Sequence, residues 1–432
     1  MSRELSSWQR TSRFQQLLVT IIAISLLSTI TYLFHSFKLT VARTISLEES
    51  GDPGSIDESN LADGLNVTTG ILLVSAMFPL TKSKHSVEDY ISWFSMFLGP
   101  ITTDIYFYTP PVFSPNIQKA RGEGLPITLN TSYASPFDIP PLMGLEEKYQ
   151  KMHKNDREMF RHFPELYAVW NAKPFFLDSA LKILQRQGKV YDYAFWTDAG
   201  SFRENYAFKD WPDTHRVDHF WKKGSEISGT ARDGLIFFPL SGLPESKMKH
   251  WTEEMGPVDN EVSEGKFIFL VFSYVTFKNI AQGSFFGGSS NAVSWWSKTY
   301  YAYHDHYLSF GHFVGKDQTL INALFLLFPE RVIAIWHRDP EAPAHAGILP
   351  FFDSGYLGAC GTEWYYYQFW LSGRNVRGEL RNIWVNRTSW ANWHWWRERQ
   401  RCRLTGVLGM KELLRRRFGT TWVPPAITVT AS

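Results

Sequence analysis

Val190-Tyr191-Asp192-Tyr193-Ala194-Phe195-Trp196-Thr197-Asp198-Ala199-Gly200-Ser201-Phe202-Arg203 decides the fold. The mostly apolar, aromatic run from Tyr191 to Trp196 predicts a buried strand. It stops at Thr197-Asp198-Ala199-Gly200. A carboxylate at the C-terminal end of a central strand stands where open α/β sheets bind ligands. Gly200 allows a sharp turn and the close approach of a ligand, and Arg203 adds a cation suited to a phosphate. Asp198 is therefore a candidate to hold a metal ion on a nucleotide diphosphate. Taken alone, the same residue is also an ordinary strand-ending Asp that caps a turn.

The flanking sequence predicts a doubly wound sheet. Ile71–Ala76 is a short apolar run of parallel-strand type. His85 to Phe97 places Val87, Tyr90, Ile91, Phe94 and Phe97 roughly on one helical face. Asp104–Tyr108 is a second strand, halted by Pro110-Pro111, so the domain opens β-α-β. Lys119 to Met143 reads as loop and Glu146 to His162 as polar helix. A longer helix runs from about Phe163 through Gln187, with Pro174 expected to kink or divide it. Further strands are expected at 234–239, 266–271 and 331–336, and helices at about 291–308 and 315–328. Beyond Gly373 the periodicity weakens into an Arg- and Trp-rich end.

The chain has 432 residues, 16% aromatic with 18 Trp, and a net charge of +2. That balance argues against a general nucleic-acid partner. Leu17 to Phe34 is almost wholly apolar and uncharged, close to the length of about 20 residues that spans a bilayer. Arg3, Arg10 and Arg13 precede it and Lys38 and Arg43 follow, a slight bias that favours a cytosolic N-terminus. A cleaved signal peptide would have a shorter core ending in small residues, not in Tyr32-Leu33-Phe34-His35. The expected organisation is a cytosolic tail at 1–16, an anchor at 17–35, a flexible acidic stem at 36–69, a folded domain at 70–372 and an extension at 373–432. Sequons at Asn66, Asn130 and Asn386 suit a lumenal face. Cys360 and Cys402 could pair there or both be free.

Two further stretches carry chemistry. Gly283-Ser284-Phe285-Phe286-Gly287-Gly288-Ser289 exposes backbone N–H groups and leaves room for a ligand, unless it is simply a tight turn into the next helix. Lys316-Asp317-Gln318 opens an amphipathic helix, where Asp is a good first-turn residue in any case. His304-Asp305-His306 would point apart on a helix and reads as mostly surface.

In order and spacing these pieces resemble glycosyltransferases of the GT-A fold. Phe195-Trp196-Thr197-Asp198-Ala199-Gly200 and Trp170-Asn171-x-Lys173 resemble segments of HtrL/YibB-type proteins. Phe285-Phe286-Gly287-Gly288-Ser289, followed by a helix and Asp317-Gln318-x-x-x-Asn322, is similar to the layout in blood-group-type and glycogenin-type transferases. The resemblance covers roughly residues 70–336. It implies a Rossmann-like, mostly parallel sheet flanked by helices; with the anchor, stem and sequons, the expectation is a type II Golgi or ER membrane enzyme. That enzyme would move a sugar from a nucleotide-sugar donor to a glycan or glycoprotein acceptor, with retention. Asp317 and Gln318 would be the catalytic pair facing the sugar. Asp198, Ala199, Gly200, Arg203 and Lys173 would hold the donor, and Phe286, Gly287 and Gly288 would border the sugar or acceptor. The family's acidic motif is Asp-x-Asp, whereas here Gly200 stands in the second place. A Mn or Mg ion would then rest on Asp198, with His337 or His345 as a possible second ligand, or Arg203 and Lys173 would supply the charge. A non-catalytic carbohydrate-binding membrane protein on a degenerate transferase fold, and a glycoside hydrolase using Asp198 and Asp317, are the alternatives.

Overall fold

The computed structural model describes residues 70–80, 82, 85–203, 206–258, 283–336, 339, 365–389 and 406–430. The chain divides into two units, Met1–Gly64 and Leu65–Ser432, and every described residue lies in the second. The expected anchor at 17–35, the sequon Asn66, the strand expected at 266–271, His337, His345, Cys360 and Cys402 all fall outside the described residues. Among the described residues no helix is long and apolar enough to cross a membrane.

The strands are β1 (Ile71–Ala76), β2 (Asp104–Tyr108), β3 (Ile127–Asn130), β4 (Tyr193–Thr197), β5 (Ile236–Leu240), β6 (Phe285–Gly288), β7 (Val332–Trp336) and β8 (Leu408–Gly409). The helices are α1 (Val87–Phe97), α2 (Ser114–Arg121), α3 (Glu146–His153), α4 (Pro164–Arg186), α5 (Thr214–Ser228), α6 (Ser290–Ser309), α7 (Asp317–Leu327), α8 (Tyr367–Trp370), α9 (Arg374–Ser389) and α10 (Met410–Phe418). The strands form one sheet in the order β3-β2-β1-β4-β6-β5-β7-β8. β6 is antiparallel to both β4 and β5, and β8 is antiparallel to β7; the other pairings are parallel. The chain winds outward from β1 to β3, then returns to place β4 on the other side of β1. The crevice of an open α/β sheet lies at such a reversal, beyond the C-terminal strand ends.

Alternation along the strands builds two cores. Leu72, Val74, Ala194 and Trp196 face one layer with α4, α6 and α7. Ile71, Leu73, Tyr193 and Phe195 face the other, with Phe94 and Phe97 of α1 and Val217, Phe220 and Trp221 of α5. Helices thus cover both faces, as expected for strands apolar on both sides.

Several expectations are corrected. Helix α4 runs unbroken through Pro174. Proline denies its own N–H to the ladder and crowds the carbonyl one turn back. The Tyr301 hydroxyl sits beside this turn: it accepts from the Phe175 amide at 3.2 Å and donates to the Asn171 carbonyl at 2.7 Å. The loop expected at 119–143 contains β3, and the helix expected at 146–162 ends at His153. The glycine-rich stretch before α6 is a strand, β6, in mid-sheet. The residues from 373 onward, expected as an extension beyond the folded domain, supply β8, an edge strand of the same sheet.

Candidate active site

β4 delivers Asp198 to the C-terminal rim, directly beside the end of β1. Its amide donates to the Ser284 carbonyl at 2.9 Å, which ties the strand end to the start of β6. Trp196 Nε1 donates to Asp198 Oδ1 at 2.7 Å. Lys173 comes from α4 and Asp317 from the first turn of α7. Lys173 Nζ lies 2.9 Å from Asp317 Oδ2 and 3.3 Å from Asp198 Oδ1, and donates to the Gly283 carbonyl at 2.8 Å. Four separate segments therefore meet at one ammonium.

Burial separates the roles. The side chains of Lys173 and Asp317 are 6% and 8% exposed, whereas that of Asp198 is 36% exposed. An ammonium has three protons, and three oxygens surround this one. Lys173 is thus an internal counter-ion that orients two carboxylates, which corrects its expected role as a direct donor ligand. Asp317 likewise lies beneath the surface and does not face outward as expected. Its Oδ1 accepts the Gln318 amide at 2.9 Å, and Oδ2 meets Lys173 as an ion pair without a well-directed hydrogen bond. Half-buried Gln318 is the more accessible member of that pair.

Electrostatics follow from this packing. Burial pushes the Asp317 carboxyl above the usual carboxylate value, and Lys173 only partly offsets it. Burial pulls Lys173 down, but Asp198 and Asp317 outweigh it and raise its pKa. One ammonium against two carboxylates leaves a surplus of negative charge when both acids are ionised, and Asp198 carries the exposed share.

The other expected residues divide. Ala199 is buried and Gly200 turns the chain under Trp93, whose ring atom Cε3 would lie 3.1 Å from an added Cβ. Arg203 donates from Nε to the Gly200 carbonyl at 2.8 Å, and its guanidinium stacks 4.0 Å above Trp93 and 5.6 Å from Tyr365. It stays exposed at the rim. Gly287 and Gly288 do not open space for a sugar. They point away from the rim: β6 runs antiparallel, so Gly288 pairs with Ala194 near the far end of β4. A Cβ on Gly287 would stand 2.1 Å from the Ala194 carbonyl, so the glycines serve close strand packing. Phe286 is a core residue stacked on Phe238. The glycine at the site is Gly283, at the other end of the same motif, where a Cβ would lie 2.7 Å from Asp317 Oδ2. Trp93 of α1 is a further contributor that sequence reasoning missed, because its contacts with Gly200 and Arg203 are made across the fold.

Of the remaining candidates, half-buried Asn130 ends β3 and donates its Nδ2 to the Tyr106 hydroxyl at 3.0 Å; Asn386 lies on α9. His304 is fully buried, not on the surface as expected, and bonds Tyr149 at 2.7 Å and Asp305 at 2.8 Å. Among the described residues the metal expectation is left with Asp198 alone. No group of three or more His, Cys, Asp or Glu converges among them. Lys173 stands between Asp198 and Asp317, so Asp198 alone offers a carboxylate to an ion that would need other oxygens to complete its shell.

No protein-family model matches the chain, and no curated protein matches it. Among solved structures, the apo form of mouse xyloside xylosyltransferase 1 aligns at a TM-score of 0.34 and 9% identity, over 61% of this chain and 83% of that one. Core-mannan synthase A of Aspergillus fumigatus, in its Mn/GDP form, aligns at a TM-score of 0.34 and 12% identity, over 62% of this chain and 73% of that one.

Proposed function

We propose that the chain is a glycosyltransferase that moves a sugar from a nucleotide-sugar donor to a glycan or glycoprotein acceptor. The observation that carries this reading is the convergence of Lys173, Asp198 and Asp317 at the rim beside the strand-order reversal. Sugar transfer needs the leaving diphosphate neutralised and the oxocarbenium-like centre stabilised by negative charge. Arg203, exposed and backed by Trp93, is placed to meet phosphate oxygens. Asp198 would hold a Mn or Mg ion, which when bound supplies positive charge at the diphosphate. The buried Asp317–Lys173 pair fixes the Asp198 carboxylate from beneath, and Gln318 offers an amide to sugar hydroxyls. Retention at the anomeric carbon, a single-pass type II anchor at 17–35 and a Golgi or ER lumenal location belong to the same proposal. Their support is the sequence resemblance and the apolar N-terminal run.

Gly200 in place of a second carboxylate favours one other reading, a carbohydrate-binding protein that has lost catalysis. Calorimetric titration of the full chain with UDP and GDP separates the two. The transferase reading expects saturable binding of a nucleoside diphosphate, weakened by Arg203→Ala; a pure lectin would ignore both nucleotides. The hydrolase alternative loses ground, because the space between Asp198 and Asp317 is filled by the Lys173 ammonium and leaves no room for a scissile bond.

A further inference from the structure

Asp317 springs from the end of the 310–316 loop, whose last three residues, Val314–Lys316, are buried throughout. Two anchors hold it. The first is Asn171 of α4, fully buried. Its Nδ2 donates to the Val314 carbonyl at 3.0 Å, to the Tyr149 hydroxyl at 3.0 Å and, more distantly, to the Gly315 carbonyl at 3.5 Å. Its Oδ1 accepts from the Tyr300 hydroxyl at 2.5 Å, and its backbone carbonyl accepts from Tyr301. Its amide therefore ties the loop to α3 and α6 while sitting two residues before Lys173. The second anchor is Lys316. Its side chain is 7% exposed, and its Nζ lies 2.7 Å from Glu158 Oε2 and 3.9 Å from Asp156 Oδ1. Asp156 is itself fixed by the Tyr167 hydroxyl at 2.6 Å, the Glu158 amide at 2.8 Å and His162 at 2.8 Å. Between the anchors, Gly315 packs so tightly that an added Cβ would stand 2.6 Å from the Phe313 ring and 2.9 Å from that of Tyr167.

We propose that Asn171 and Lys316 are positioning residues that clamp the Val314–Lys316 loop and so set the contact between Asp317 and Lys173. A buried amide that donates to the Val314 carbonyl and to the Tyr149 hydroxyl, and a buried lysine spent on two acids of another loop, define the origin of α7 relative to α4. Neither touches the rim. Both act on the reaction through Asp317, so the proposal rests on the transferase reading for its kinetic consequence but not for its geometric one.

The test uses the full-length protein and the variants Asn171→Leu, Lys316→Met, Lys316→Arg and Asp317→Asn, each checked for cooperative melting. Hydrolysis is followed with UDP-glucose, UDP-xylose and GDP-mannose as probes. Asn171→Leu and Lys316→Met should each lower kcat by about tenfold to a hundredfold, with KM within about threefold. Lys316→Arg should recover most of the loss. On an Asp317→Asn background either substitution should cost nothing more, because both act through that one carboxylate. Fully additive losses, or a folded Lys316→Met variant with unchanged kcat, would overturn the proposal. A crystal structure of Lys316→Met gives a readout independent of turnover. The Asp317–Lys173 separation should open beyond about 4 Å; a contact kept at its present distance overturns the clamp. Absence of any nucleotide-sugar turnover in the wild type sinks the transferase reading, and the crystallographic distance then decides the clamp by itself.

Discussion

Lys173 Nζ stands 2.9 Å from Asp317 Oδ2, and this contact binds the middle of α4 to the first turn of α7 under the rim that carries Asp198. Removing the ammonium leaves two acids facing each other without a counter-charge. Lys173→Met should destabilise the domain by about 3–5 kcal/mol, read from the shift of the denaturation midpoint in guanidinium chloride. The double variant Lys173→Met/Asp317→Asn should recover a large part, since it removes the stranded buried charge. Equal stability of the single and double variants would contradict an ion pair at this point.

The sign of the Asp317 shift gives a pH prediction. Its folded pKa is raised, first by burial. The folded chain therefore holds this proton where the unfolded chain has released it. The stability Asp317 contributes is greatest below its unfolded value of about 3.9 and is lost as pH rises through the folded pKa. Relative to Asp317→Asn, the wild type should lose stability as pH climbs from about 4. Chemical denaturation of both proteins across that range checks it, and a gap that widens in favour of the wild type would reverse the assignment.

Two glycines of one motif should fail in different ways. Gly287→Ala forces a Cβ to 2.1 Å from the Ala194 carbonyl, backbone that cannot yield without parting β4 from β6. Loss of folded protein is the expected outcome, seen as loss of a cooperative melt. Gly283→Ala instead meets the Asp317 carboxylate at 2.7 Å. It should fold and lose turnover by about tenfold or more. A Gly283→Ala protein with full turnover would remove that carboxylate from the account.

Arg203 is stacked 4.0 Å over Trp93 at the exposed rim. Trp93→Ala removes the platform that orients the guanidinium. UDP or GDP affinity should fall by about fivefold to tenfold, in keeping with roughly 1 kcal/mol for such a contact. The melting temperature should barely change, and undiminished affinity would place the diphosphate elsewhere.

What was legible in the sequence follows a physical line. β1, β2, β4 and β7 are apolar runs buried on both faces, and such runs declare themselves. Asp198 was legible because a carboxylate ends one of them. β6 was not, because Gly287 and Gly288 lower strand propensity, and only the neighbouring strands show why glycine is required there. Pro174 misled in the same way: the Tyr301 hydroxyl that bonds the next amide, Phe175, comes from 126 residues further along the chain. The buried place of Asp317 was also out of reach. The first-turn reading fixed its helix position, but the ammonium beneath it lies on another helix whose packing no local pattern announces.

Lys173, Asp198 and Asp317 are proposed to form one centre for sugar transfer from a nucleotide donor. The most direct measurement is hydrolysis of a nucleotide-sugar panel by the purified full-length chain, with Mn²⁺ and with EDTA, beside Asp198→Ala. Turnover of at least one nucleotide sugar is expected, together with its loss in the variant. Equal turnover by wild type and Asp198→Ala would contradict it.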